Sequence, residues 1–274
     1  GQGSEIRERR DEAHGPPDEQ ERVLPPLTQG TTTLAFAQTE ADARYDLARV
    51  GMRARPSGDG FVLEGAKTAV LHGGSADLLV VSARSAGEDA DRQGISLFLV
   101  ERGAPGVDVT EYRTIDNMRV ADVRFSNVAV PRDALLGGEG QALPIIEEVV
   151  DYATTLVCAE AVGAIKYAHD ATLDYLKTRR QFGVPIGSFQ ALQHRMVDIY
   201  IAWEQARSIV CLASVKMDTA TPPERQRAVS AAKIKIADAC RHVSQEAVQL
   251  HGGMGMTEEL KISHTFRRLT LIVQ

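Results

Sequence analysis

The sequence has no cluster of positive charge, no paired cysteines and no long apolar run. Its formal net charge is -6. Without a polybasic run or an arginine–aromatic stripe, it lacks the footprint of a nucleic-acid binder. The apolar stretches are interrupted within a few residues, so none reads as a membrane-spanning helix. The opening Gly1-Gln2-Gly3-Ser4-Glu5 is polar and has no signal-peptide apolar region. Cys158, Cys211 and Cys240 stand singly in helical-looking segments with no C-x-x-C. That pattern reads as reduced core cysteine in a cytoplasmic protein. His242, His251 and His264 show no metal-ligand spacing. His251 reads as a polar turn residue and His194 as a helix-surface residue. There is no nucleophile elbow, P-loop, internal repeat or low-complexity tract.

What is present falls into three stretches. Residues 1–30 are charged and proline-rich, with Arg7–Glu12, Pro16-Pro17 and Pro25-Pro26, and read as a surface helix remnant and linker with no core of its own. Residues 31–137 hold short runs rich in branched and aromatic residues: Phe61–Leu63, Ala69–Leu71, Leu78–Val81, Ile95–Val100 and Val123–Phe125. Gly- and Pro-containing turns separate them, so an antiparallel barrel or sandwich is expected. Residues 138–274 turn helical. Leu143, Ile146, Val150 and Ala153 keep an i, i+3, i+4 rhythm, as do Met196, Ile199, Trp203 and Ala206. From Pro144 to Arg180 only Gly163 weakly interrupts, so one very long helix in a bundle is expected.

Two motifs carry chemistry. Arg179-Arg180-Gln181-Phe182-Gly183-Val184-Pro185-Ile186, closely followed by Phe189-Gln190-Ala191-Leu192-Gln193-His194, lies between long helical segments. Gly183 and Pro185 break the helix. A guanidinium, an amide and an aromatic ring meet at one turn. That set suits a flavin dinucleotide, and it suits equally a capped loop with a stacked arginine. The second motif, Gln249-Leu250-His251-Gly252-Gly253-Met254-Gly255-Met256, permits positive φ and close backbone approach to a ligand, or an ordinary glycine cap. The glycine run does not open a helix after a strand, so it is not a dinucleotide fingerprint of the Rossmann kind.

In this order and spacing the two motifs closely resemble the acyl-CoA dehydrogenase family, from about Leu24 to the end of the chain. Within it the chain is most similar to the small subunit of a heteromeric enzyme of the pimeloyl-CoA dehydrogenase kind. The resemblance implies an α+β multidomain fold: a middle antiparallel β-barrel, then a C-terminal four-helix bundle, with the N-terminal helical domain largely absent from this chain. It implies FAD as cofactor and α,β-dehydrogenation of an acyl-CoA thioester. The glutamate base would take the α-proton and flavin N5 the β-hydride. An electron-transfer flavoprotein would receive the electrons, and the chain would form a homo- or hetero-oligomer, dimer or tetramer. A non-catalytic partner subunit that completes another chain's flavin site is the alternative, and a flavin oxidase or monooxygenase on the same scaffold a third reading.

In the family two subunits share each flavin. The resemblance implies that Arg179 binds pyrophosphate and that Gln181 and Phe182 contact the adenine half. Gln190 would hold the turn, and Gln249, Gly252 and Gly253 would meet the adenosine end. Thr39, in Thr39-Glu40, would bond the flavin from the barrel. Other barrel positions depart from the pattern. Arg44 and Tyr45 replace a glycine–serine pair, Ala69 a tryptophan packed on the flavin ring, and Leu71 a threonine that bonds N5. No catalytic base is assigned: the usual glutamate position is expected beyond Gln274, and the alternative position is Ala153. Asp151 matches a substrate-contacting aspartate, although the arginine that often follows is Thr154.

Overall fold

A computed structural model describes the main chain over residues 17–274 and side chains from residue 23 onward. The charged run Arg7–Glu12 lies outside the described residues. Two compact units divide at Glu147 and Glu148.

Among the described residues the first unit begins with α1, Pro17–Thr28, a helix in the stretch read as helix remnant and linker, and it runs through Pro25 and Pro26. The sheet strands follow: β1 Leu34–Ala37, β2 Arg53–Ser57, β3 Gly60–Leu71, β4 Leu78–Arg84, β5 Ile95–Glu101, β6 Val107–Arg113, β7 Arg119–Pro131 and β8 Leu135–Leu136. They form one eight-stranded sheet in the order β6-β7-β3-β2-β4-β5-β8, with β1 also on β4. The expected antiparallel pairing holds for most of it, but β4 runs parallel to both β1 and β2. One central strand thus serves two short neighbours, a pairing that local strand patterns cannot disclose. Alternation along β7 places Val120, Val123, Phe125, Val128 and Val130 in the core and leaves Asp122 and Arg124 outside. Phe61 meets Phe98 edge-on, with ring centroids 5.1 Å apart.

The second unit is helical. The long helix α2, Leu143–Thr178, runs unbroken through Gly163. A small hairpin of β9, Arg180–Gln181, and β10, Val184–Pro185, follows it. Then come α3 Gln190–Thr219, α4 Pro222–His251 and α5 Lys261–Val273. Thr221 and Glu224 form a capping box ahead of α4, with proline in its first turn. The bundle core gathers Cys158, Ala161, Ile165 and Leu176 from α2, Met196, Ile199 and Ala206 from α3, Ile236, Cys240 and Val243 from α4, and Leu269 from α5. The inward rhythm read from the sequence holds at Leu143 and Ile146 but not at Ala153, which is exposed. Past that point the buried face of α2 runs through Cys158, Ala161 and Ile165. Cys211 is exposed, which corrects its reading as core; Cys158 and Cys240 are buried. Burial pushes the Cys158 thiol up to about 11 and Cys240 up to about 12, which suits packing rather than reactivity.

Candidate functional site

Three helix termini meet at one end of the bundle. Tyr175, near the end of α2, stacks on His251, the last residue of α4, with ring centroids 4.4 Å apart. Arg195, in the second turn of α3, pairs with Glu246 of α4. These contacts bring Arg179, Gln181, Phe182 and Gln190 to the same end as Gln249, Gly252 and Gly253. The hairpin turn has φ 54° at Phe182 and φ 82° at Gly183, positive at both central positions as a tight two-residue hairpin requires. A bulky residue in that region is strained, and Phe182 is also 90% exposed. Gly252 has φ 62°, and no atom lies within 4 Å of where a Cβ on Gly252 or Gly253 would stand. Gly255 is different: a Cβ there would come 2.6 Å from the Val248 carbonyl, so its role is tight packing of the loop. Arg179, Gln190 and Gln249 are exposed, and their side chains bond to no other described residue. Gln181 donates to the Arg180 carbonyl at 2.8 Å. The surface therefore presents a free cation, two free amides, a ring and open backbone, a donor-rich set for an anionic ligand with polar edges.

His251 is not the polar turn residue expected. It is 4% exposed, ends the helix, and shares a hydrogen bond of 2.8 Å between its Nδ1 and the Ala247 carbonyl. Burial holds its pKa below the ordinary histidine value, partly offset by the Ala247 bond. Its ring fills the space under the glycine loop, a role its sequence setting of flanking glycines does not announce.

The sheet unit holds the other expected residues. Thr39 follows β1. Its hydroxyl accepts from Gln38 Nε2 at 3.0 Å, which leaves the hydroxyl proton to donate elsewhere. Its carbonyl accepts from the Thr68 amide at 2.9 Å. Glu40 accepts from the Gly51 and Met52 amides at 2.8 and 3.2 Å and from Lys67 Nζ at 2.6 Å. Lys67 is 1% exposed and also reaches Ser82 Oγ at 2.9 Å and the Gln38 carbonyl at 3.4 Å. Next along β3 is a bulge, with the register slipping between Lys67 and Val70 and Ala69 at φ 52°. Asp122 of β7 pins it, with Oδ1 accepting from Thr68 Oγ1 at 2.8 Å, the Ala69 amide at 3.0 Å and Tyr112 OH at 3.1 Å. Those donors, the Ala69 amide foremost, hold the Asp122 carboxyl below its ordinary pKa. Ala69, Leu71, Arg44 and Tyr45 are all exposed.

Residues 35–128 match the acyl-CoA dehydrogenase middle domain and residues 140–272 the acyl-CoA dehydrogenase C-terminal domain. The short-chain-specific acyl-CoA dehydrogenase of Clostridium acetobutylicum is 30% identical over 257 residues, which cover 93% of this chain and 67% of that protein. The chain belongs to the acyl-CoA dehydrogenase family. Among solved structures, butyryl-CoA dehydrogenase from Megasphaera elsdenii superposes with a TM-score of 0.87 at 29% identity, covering 94% of this chain and 68% of that one. The FAD complex of PigA does so at 0.88 and 27% identity, covering 94% and 68%. The chain spans 62 to 68% of the length of the first curated relatives it matches.

The dinucleotide that this family implies can be tested against the residues present. The free Arg179 guanidinium, the free Gln190 and Gln249 amides and the open Gly252-Gly253 backbone fit a pyrophosphate with an adenosine end. Thr39, with a hydroxyl proton to give, fits a flavin carbonyl or ring nitrogen. Ala69 and Leu71 offer no side-chain hydrogen bond, so an acyl-CoA dehydrogenase flavin would meet only backbone there. Asp151, expected to touch substrate, accepts from Arg225 Nε of α4 at 2.9 Å. Arg225 is 7% exposed, so this carboxylate neutralises a buried cation.

Proposed function

We propose that the chain is an FAD-dependent acyl-CoA dehydrogenase, or a subunit of one, that introduces a double bond between Cα and Cβ of an acyl-CoA thioester. What supports this reading most is one observation: Arg179, Gln190 and Gln249, all without partners among the described residues, converge with an open diglycine at one end of the bundle. When bound, FAD supplies the acceptor for the β-hydride. The chain's own residues bind and orient it. Arg179 neutralises pyrophosphate and Gln181 and Phe182 pack against the adenine half; Gln193, donating to the Gly187 carbonyl at 2.9 Å, holds the turn in place of Gln190, whose amide is left to reach the dinucleotide. Gln249, Gly252 and Gly253 take the adenosine end, and Thr39 donates to the flavin. Asp151, which also holds Arg225, would be the substrate contact. No base is assigned: Ala153, the alternative position, has no ionisable side chain. Electrons would pass to an electron-transfer flavoprotein, and the setting would be cytoplasmic.

The oligomer belongs to the same proposal. The retained dinucleotide residues would serve a mate's sheet. Exposed Val197, Tyr200, Ile201, Leu212 and Val215 on α3 give the bundle an apolar face for it. A second reading rests on Ala69 and Leu71: the chain completes the flavin site of a different subunit and does no chemistry on its own sheet face, as in a heteromer. Anaerobic titration of the purified protein with short-chain acyl-CoA thioesters separates the two. Bleaching of the flavin band near 450 nm by the chain alone supports the first. Colour and bleaching only with a co-expressed family member support the second. A protein that never binds flavin refutes both.

A further inference from the structure

The residues on either side of Thr39 are tied to one buried ammonium, Gln38 by its carbonyl and Glu40 by its carboxylate. Lys67 Nζ reaches the Gln38 carbonyl before it at 3.4 Å and the Glu40 carboxylate after it at 2.6 Å. Thr39 itself is held to β3 by the Thr68 amide, one residue beyond Lys67. Glu40 carries the restraint onward, accepting from the Gly51 and Met52 amides just ahead of β2. We propose that Lys67, acting through Glu40, is a positioning residue that fixes where Thr39 presents its hydroxyl. The inference rests on the reading that Thr39 faces FAD.

A fully buried lysine that merely filled space would be better replaced by a methionine. Here the charged form does something an apolar side chain cannot: it bonds three oxygens, two from the segment after β1 and one from β4. Burial lowers the Lys67 pKa to about 8, against the opposing field and hydrogen bond of Glu40. Glu40 is the charged group that faces Lys67, from the segment after β1. β4 contributes the neutral Ser82 to the contact, and Arg84 of β4 acts on Glu40 through its charge. At pH 7 the ammonium holds Glu40. Above about 8 the amine is neutral, the Glu40 carboxylate loses its counter-charge, and the restraint on Thr39 slackens.

The test is the FAD dissociation constant of the purified protein, with any co-purifying partner, from pH 7 to 9.5. The wild type is expected to weaken roughly tenfold, about 1.4 kcal/mol, with an inflection near 8. Lys67→Met should show no such inflection. Glu40→Gln should move it lower, because the charge that raises the Lys67 pKa is gone. A flat wild-type profile, an inflection kept by Lys67→Met, or one unmoved in Glu40→Gln would overturn the proposal. Glu40→Gln decides it if Lys67→Met does not fold. If the wild type binds no FAD, the functional reading fails, and amide exchange in the ligand-free protein still tests the tether. Gly51 and Met52 should then exchange faster above pH 8 than intrinsic base catalysis alone requires; unaltered protection would contradict it.

Discussion

At the residue scale, the legible part of the site is the part whose chemistry is local. Arg179, Gln181, Phe182, Gln249, Gly252 and Gly253 belong to two short motifs, and each motif carries its own backbone punctuation. The residues proposed to face the dinucleotide could therefore be named through the family resemblance those motifs carry. What holds them could not. The Tyr175–His251 stack joins two helices far apart in the chain, and nothing near either residue predicts its partner. Replacing Arg179 by Ala removes one charge-assisted contact, worth about 1.5–3 kcal/mol. FAD affinity should fall by roughly one to two decades, read by absorbance after gel filtration. Undiminished occupancy would remove Arg179 from the site. His251 gives a pH signature. Its folded-state pKa lies below the unfolded value of 6.5, so the unfolded chain binds the extra proton first. Its contribution is complete above 6.5 and is lost as pH falls through the lower folded value. Urea midpoints between pH 7.5 and 5 should drop more steeply for the wild type than for His251→Phe, which keeps the stack without titrating. Parallel slopes would show that His251 is not the buried base.

At the scale of elements, the sequence disclosed helix and strand existence better than their registration. The long α2 was readable because no proline interrupts it. The parallel pairing of β4 with β1 and β2 was not, because it depends on which strand the sheet sets between two others. The bulge at Ala69 is a like case: Asp122, the residue that fixes it, lies on β7, 53 residues away. Asp151 shows how tertiary contact alters a residue's meaning. By family resemblance it is a substrate contact; in the bundle it also holds Arg225 across from α2 to α4. Asp151→Ala would leave a buried guanidinium without that partner. The loss of stability should fall toward the lower end of about 3–5 kcal/mol, because Glu148 also stands 3.9 Å from Arg225. Denaturant unfolding measures it directly. A change below about 0.5 kcal/mol, with a raised KM for acyl-CoA, would instead return Asp151 to the substrate.

At the scale of the whole molecule, family membership rests on two matched domains, while the proposed activity rests on a site that one chain would supply in two halves. The sheet half keeps Thr39 but has Ala69 and Leu71; the bundle half keeps its free cation, amides and glycines. In a symmetric dimer every site is identical, so a chain with one good half is best used opposite a different partner. Sedimentation at low micromolar concentration should show a dimer or larger assembly. A monomer that retains FAD would break the shared-site account.

The most direct test of the central claim, that the end of the bundle formed by α2, α3 and α4 holds the adenosine half of FAD, is photolabelling with 8-azidoadenine FAD followed by peptide mapping. Label should fall on the peptides carrying Gln181-Phe182 and Gln249–Gly253, and excess FAD should compete it away. Competed label confined to other peptides would contradict the account.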